Sequence, residues 1–585
     1  MTLLEIKEVL EECRIIDGIS VLNPSSFKGI NYDLVFKGMM TVDEQNRLPI
    51  IICIPKKWYL DLIDIYIDYL DDIIYLPHVD RKGKLCLFET EGVLIEQNLR
   101  GILVQSIFRA KSILKAGLLQ ENSDDFLDEF ELYWSQLVGG RVVSFDVPIQ
   151  EISQNVKCTF EVATQRKKEK QVKYLQRKDA SRMYIGKDSE SIKRWNLKNT
   201  SLINAAYFVV NPPNKIYPPD IRKPLSLDYL NNLLQMVPEK DVYALLSGLR
   251  KSKVIVFAIK QPIGITNYFG FFAKGGDLQK SEGGYILVNV EQMQPLVINR
   301  ADKKYLMKRT TETELDISKK KILVVGCGSI GGHLICELAK AGYEDITVVD
   351  DDILTEENVF RHILGMEYVS QYKCEALGAY IHKNIPEVLI RPLVERLEDA
   401  VLEEDINLKE YNMLISATGN HNLNRWINAF VMEQEIDIPV IYAWNEVCGI
   451  GNHVAYFRYG NDGCYECLFR RDEETGEMYD GSSYCAHGQK ITQNAGGCGK
   501  NYIPYGNTIS VKTVLMCLDI IKMVFENRVV DNLLISAKGD DNYFIKFGLK
   551  KSERYLNQQE SIKKLLGNQI VNKKCGVCND CGRIR

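Results

Sequence analysis

The stretch 320–352 constrains this chain more than any other. KKILVVG has the continuous apolar run of a strand buried on both faces. HLICELAKAG follows with helical spacing and a glycine stop, and EDITVVDDD reads as the next strand. Strand, turn, helix and strand in that order form a βαβ unit, which commits this part to a parallel α/β sheet. The turn itself is Gly326-Cys327-Gly328-Ser329-Ile330-Gly331. Its glycines permit a tight turn and close approach of backbone to phosphate, and the helix amino terminus adds unpaired N–H groups and a positive dipole. Asp350 ends the second strand, where a ribose-binding carboxylate belongs. Alone, this motif means only a nucleotide, with NAD the default.

The residues that follow change that expectation. Asp352, Asn358, Arg361 and Lys373 come next, in DDDILTEENVFRH and SQYKCEA. Hydride transfer has little use for an Asp, an Arg and a Lys beside the second strand. Cleavage of ATP between its α and β phosphates needs cations to neutralise the charge that builds there, a role that suits Arg361 and Lys373. Asp352 could hold magnesium. Taken singly, each could equally be a surface ion-pairing residue; their joint order is harder to ascribe to accident.

With GCGSIGG, VVDDD, NVFRH, the lysine of SQYKCEA and the later ISATGNHNLNRWIN, residues from about 320 to 585 resemble the ThiF/MoeB/ubiquitin-activating adenylyltransferase family. The resemblance implies a Rossmann-like domain that uses ATP and Mg2+ to adenylate a carboxylate. The implied nucleotide-binding residues are Gly326, Gly328, Gly331, Asp350, Asp352, Asn358, Arg361, Lys373 and Asn420, with Arg361 also catalytic. One departure is plain: Gly419 stands where the family usually has a magnesium-binding Asp. That shifts the metal toward Asp350 or Asp352, and also favours a non-catalytic nucleotide-binding scaffold as a rival reading.

Sixteen cysteines in a chain expected to stay in the cytosol call for a reading other than disulfides. GCYECLF supplies Cys464 and Cys467, and KKCGVCNDCGRIR supplies Cys575, Cys578 and Cys581. Two C-x-x-C pairs can surround one tetrahedral zinc. Cys464, Cys467, Cys575 and Cys578 are the expected set, with reduced, unliganded thiols as the alternative. Between the pairs, the polar span from about 472 to 507 reads as a long loop, and loops of that length are usually functional. A thiol there could take the acyl group as a thioester. Cys498, flanked by Gly496, Gly497 and Gly499, is the first choice. Cys485, with His487 nearby as a possible base, is the second.

At the other end, PHVDRKGKLCLFE at 77–89 resembles the active-site segment of ubiquitin-conjugating enzymes, commonly H-P-N-x-x-x-x-G-x-x-C-L. Gly83, Cys86 and Leu87 match without a gap, while His78 replaces the family's Asn. A histidine there could donate a hydrogen bond or act as a base on an incoming amine. By itself Cys86 would more often be a buried strand-end thiol; an adenylating domain in the same chain gives it an acyl group to accept. The surroundings agree with the resemblance. A first helix spans about 3–13, IICI at 50–53 is a strand, and Leu94, Ile95, Leu99, Ile102, Leu103 and Ile107 give helical spacing over about 91–118.

Three domains are expected: a conjugating-like α+β domain at 1–120, an α/β linker domain at 121–315 and the adenylation domain at 316–585. The linker offers a helix at FLDEFELYW, strands at VVSFDVPI and INAAYFVVN, a Lys-rich polar stretch and a proline-rich break at 212–224, but no catalytic constellation. The arrangement resembles the fused activating–conjugating proteins of bacterial CBASS anti-phage operons. That resemblance implies a homodimer and, as partner, a protein with a free C-terminal tail: a cGAS-like nucleotidyltransferase or a ubiquitin-like protein. A sulfur-carrier-type adenylyltransferase with an amino-terminal docking module is the alternative. A net charge of −5 gives no support to nucleic-acid binding, and no run of 18 apolar residues suggests a membrane span, so a cytoplasmic location is expected.

Overall fold

The computed structural model describes all residues except 1, 27–31, 69–72, 89–97, 138–140, 147–151, 162–181, 188–201, 250–251, 311–316, 318, 386, 495–500 and 579–585. Two compact units result, Met1–Asp302 and Lys303–Arg585.

The first unit begins with helix Leu3–Glu12, whose Thr2 and Glu5 form a capping box. Strands Ile16–Leu22, Tyr32–Thr41, Arg47–Pro55 and Asp64–Ile67 follow as an antiparallel meander in sequence order. Alternate side chains of this sheet, among them Phe36, Met40, Ile50, Ile52 and Ile54, meet Ile6, Val9 and Leu10 of the first helix. The same core takes in Leu103, Ile107 and Leu114 of helix Leu99–Leu118; the part of the expected helix at 91–97, with Leu94 and Ile95, lies outside the described residues.

The middle of the chain is richer in strands than its sequence suggested. Seven strands close into a barrel, in the order Thr266–Ser281, Gly284–Arg300, Arg141–Asp146, Arg182–Gly186, Gln154–Glu161, Ile203–Val210 and Ser252–Lys260. Three of its joints are parallel pairings between strands far apart in sequence: Gly284–Arg300 with Arg141–Asp146, Arg141–Asp146 with Arg182–Gly186, and Ile203–Val210 with Ser252–Lys260. The FLDEFELYW segment forms two short helices, Asp125–Asp128 and Phe130–Ser135, that tie the meander to the barrel. Buried Trp134 stacks among Phe130, Phe269 and Phe271, and its indole N–H donates to the Leu296 carbonyl at 2.9 Å. Asn267 Nδ2 donates to the Leu127 carbonyl at 2.8 Å.

The second unit carries the α/β sheet that the βαβ pattern demanded. Its eight strands run in the order Leu389–Leu393, Asp345–Val349, Lys321–Val325, Met413–Ser416, Val440–Asn445, Gly451–Phe457, Leu533–Lys538 and Ile562–Leu566. The first five are parallel and the remaining pairings antiparallel. Strand order reverses direction at Lys321–Val325, so the carboxyl ends of that strand and of Met413–Ser416 flank a topological switch point, where open α/β sheets bind ligands. Helix Ser329–Ala341 ends in Gly342 at φ 101°, a left-handed terminus that glycine adopts without strain.

Candidate active sites

The glycine loop sits at that switch point because two close approaches and a bare helix N-cap require it. Gly326 has φ +90°, and a side chain there would strike Thr418. A Cβ on Gly331 would fall on the Gly326 carbonyl oxygen. Gly328 is the N-cap of helix Ser329–Ala341 and has no side chain to cap the first-turn N–H groups. A cavity of about 600 Å3 opens here, lined by Gly326, Gly328, Asp350, Asp352, Lys373 and Asn420 among others. Six of the expected nucleotide residues therefore share one space. Arg396, Glu398 and Trp426 line it too, and no motif had marked them.

Asp350 accepts N–H bonds from Cys327 at 2.5 Å and from Asp352 at 2.8 Å. Burial pushes its carboxyl above the usual range. Lys373 is buried and reaches Asp352 Oδ2 at 2.6 Å. Asn420 caps helix His421–Glu433, its Oδ1 accepting from the N–H groups of Asn422 and Leu423 at 3.0 and 3.3 Å. His362 braces the loop from beneath. The Leu364 N–H donates to its Nδ1 at 3.1 Å, which leaves the proton on Nε2 to donate to the Cys327 carbonyl at 2.5 Å. Burial pulls its pKa down to about 4, so the ring is neutral at pH 7. The sequence displayed His362 within NVFRH, but nothing local revealed that it holds the glycine loop.

Asn358 and Arg361 do not join this group. They line a separate cavity of about 790 Å3 with Cys448, Tyr502, Tyr505, Tyr543 and Phe547. The Arg361 guanidinium lies 5.6 Å from the Tyr505 ring centroid, and Asn358 Oδ1 accepts from the Thr355 N–H and hydroxyl at 3.2 and 3.3 Å. Cys448, in a left-handed conformation at φ 55°, is a cavity-lining thiol that the sequence reading passed over.

Cys498 lies outside the described residues. The expectation that Cys485 is an accessible loop thiol is corrected. It is buried, and burial pushes its thiol up to about 12. The cause is Glu446, buried at the end of strand Val440–Asn445, whose carboxylate accepts the N–H groups of Tyr484 and Cys485 at 2.6 and 2.9 Å and the Ser483 hydroxyl at 2.5 Å. Burial raises the pKa of Glu446, yet these bonds and His453 Nε2 at 2.6 Å bring it below its ordinary value. His487 is engaged away from Cys485. Its Nε2 lies 3.0 Å from Asp472 Oδ2 and its ring stacks on Tyr479.

The two cysteine pairs converge. Cys464 Sγ lies 3.9 Å from Cys467 Sγ and 3.7 Å from Cys575 Sγ, and Cys467 Sγ lies 3.4 Å from Cys578 Sγ. All four sulfurs fall within 4.8 Å of one another. Thiolates in a tetrahedron around zinc at 2.3 Å stand about 3.8 Å apart, so the cluster has the spacing of such a site.

In the first unit, Cys86 is the one exposed residue among the described cysteines. It closes a hairpin that begins at His78: the Cys86 N–H donates to the His78 carbonyl at 2.8 Å, and Asp80 Oδ1 accepts from the N–H groups of Lys82 and Lys84 at 2.8 Å. Gly83, at φ +86°, lies so close to the Ile67 carbonyl that no side chain fits. Cys86 and His78 line a cavity of about 240 Å3 with Asp64, Lys84, Glu129 and Tyr133.

Comparison with known proteins agrees with both halves. Residues 303–553 match the ThiF family and residues 23–140 match prokaryotic E2 family B. The chain thus joins a ThiF-type adenylation domain at its C-terminus to a ubiquitin-conjugating-like domain at its N-terminus. It is 24% identical over 495 residues to the ATP-dependent ubiquitin transferase-like protein Cap2 of Escherichia coli (strain TW11681), covering 78% of this chain and 80% of that one. Cap2 of Pseudomonas aeruginosa (strain BWHPSA011 / Pa011) is 27% identical over 274 residues, 45% of this chain, and the match spans about half, 47%, of that relative's length. The adenylyltransferase and sulfurtransferase UBA4 of Yarrowia lipolytica is 29% identical over 157 residues, 27% of this chain and 38% of its own. Among solved structures, E. coli MccB with ATP is similar over 45% of this chain and 68% of that chain, at 18% identity and TM-score 0.32. Among the described residues, no helix is long and apolar enough to cross a membrane.

Proposed function

We propose that this protein activates the C-terminal carboxylate of a partner protein with ATP and passes the acyl group through thioesters to an amine. The carboxylate attacks the α-phosphate and pyrophosphate leaves. A thiol then displaces AMP, a second thiol takes the acyl group by exchange, and an amine releases that thiol as the amide forms. Each thioester stays reactive toward amines, so the free energy of the cleaved anhydride is carried forward. The observation that carries the reading is the exposed Cys86 thiol at a cavity of an E2-type domain, in a chain that also holds a ThiF-type glycine loop with Lys373 and Asp352 at its cavity.

Cys498 is proposed as the first acyl acceptor, since Cys485 is buried with a raised thiol. Asp352, its side chain 70% exposed beside Lys373, is proposed to hold magnesium in place of the Asp that Gly419 replaces. Magnesium, when bound, would neutralise charge on the triphosphate. The four-cysteine cluster fits structural zinc by its sulfur spacing. A homodimer in the cytoplasm acting on a cGAS-like nucleotidyltransferase, as part of anti-phage defence, is proposed from the resemblance to CBASS proteins and the matches to Cap2.

The test is intact-protein mass spectrometry after incubation with ATP and a tail-bearing partner. A thioester adduct should appear on Cys86, and Cys86→Ala should form no conjugates. Normal conjugation by Cys86→Ala would overturn the last transfer. An acyl-disulfide with Cys86 unloaded would favour sulfur-carrier chemistry instead.

A further inference from the structure

The hairpin that presents Cys86 starts from an unfavourable backbone. His78 has φ +60°, a region that residues other than glycine seldom occupy, so surrounding contacts must hold it there. They come from the segment 125–133. The His78 N–H donates to the Tyr133 hydroxyl oxygen at 2.6 Å, and that hydroxyl donates to Glu129 Oε2 at 3.0 Å. His78 Nε2 lies 2.8 Å from Asp125 Oδ2, and Nδ1 lies 3.5 Å from Glu129 Oε1. Tyr133 is buried and fixed edge-on to Phe126 and Tyr75. The anchor is therefore a packed element, and the hairpin is the part it holds.

A neutral imidazole can donate from one nitrogen only, so a ring with a carboxylate at each nitrogen is satisfied as the cation. Bonding to Glu129 outweighs burial and raises the His78 pKa above its ordinary value, in agreement. Two other charged groups of the hairpin are engaged elsewhere. Asp80 accepts hairpin N–H groups, and Lys84 pairs with Asp64 at 2.7 Å. While held as that cation, His78 offers no lone pair for an amine's proton.

We propose that Asp125 and Glu129 are positioning residues for the Cys86 site: by gripping a His78 cation from both sides they hold the hairpin that sets the thiol. The inference rests on Cys86 being the acyl-accepting thiol, but its test needs neither ATP nor a partner. The measurement is hydrogen exchange of peptides spanning 77–87 in the full chain, corrected at each pH for the intrinsic rate. A histidine whose folded pKa is raised contributes fully below the unfolded value of about 6.5 and loses that contribution as pH rises through the folded value.

Protection of the Cys86 N–H should therefore fall by up to roughly tenfold between pH 6 and pH 9, the scale of one charge-assisted hydrogen bond. The double variant Asp125→Asn/Glu129→Gln should start at the lower protection and show no pH step. His78→Asn, which tolerates this backbone but carries no charge, should also be flat. Strand Arg47–Pro55 reports folding. If the double variant loses protection there too, Glu129→Gln alone is the arm that decides. Wild-type-like protection at every pH in the variants that keep the strand protected would overturn the proposal. Failure of Cys86 to load would instead sink the acyl-transfer reading.

Discussion

At Gly331 the backbone has no room for a methyl group, because the Gly326 carbonyl occupies the place where a Cβ would be. Gly331→Ala should push the glycine loop off its strand and cost at least about 1–3 kcal/mol, the range for overpacking. ATP–pyrophosphate exchange should be lost well before the chain unfolds, as thermal melting beside the exchange assay would show. His362 makes a pH prediction with a definite sign. Its folded pKa of about 4 lies below the unfolded value, so between the two the unfolded state binds the proton and stability rises with pH. From pH 7 down to pH 5 the C-terminal unit should lose about 2 kcal/mol through this one group. His362→Asn, though less stable at pH 7, should lack that slope in thermal denaturation. The sequence offered the loop glycines plainly, since only glycine fits such turns. It could not show that His362 supports them, because that contact forms only when NVFRH folds back beneath the loop.

At the scale of elements, the cysteine cluster joins the short helix Tyr465–Leu468 to the tail that follows helix Gly567–Ile570, and both sit against the sheet's second core. Metal analysis of the purified chain should find one zinc per chain, and none after Cys464→Ser. The variant's C-terminal segment should then become protease-sensitive before the sheet does, since the proposed zinc would tie it down. Spacing made this cluster legible: two C-x-x-C pairs are a recurrent zinc-binding pattern. The segment between the pairs was less legible. Its polar composition suggested an open loop, yet Glu446 draws 483–485 inward by accepting three hydrogen bonds on one carboxylate. A single buried acid from a distant strand overrode the local character.

For the whole molecule, each compact unit has its own hydrophobic cores, the second built on Ile322, Val324, Leu334, Ile415 and Ile520. A fragment comprising 303–585 should fold and catalyse ATP–pyrophosphate exchange with a suitable tail peptide, at a rate within about threefold of the full chain. It should yield no amide conjugate, since Cys86 is absent. Loss of exchange in a fragment that is folded by circular dichroism would show that the first step needs residues of 1–302.

The sequence by itself determined the βαβ unit, the glycine loop, the cysteine pairs and the short active-site match around Cys86. These are properties of periodicity and of residues, such as glycine and cysteine, whose chemistry is decided within a few positions. Only the tertiary structure decided that the barrel closes through pairings distant in sequence, that Arg361 and Asn358 line a different cavity from Lys373 and Asp350, and that His78 is gripped by Asp125 and Glu129. Burial and through-space charge set those outcomes, and neither is a property of the neighbouring residues in the chain.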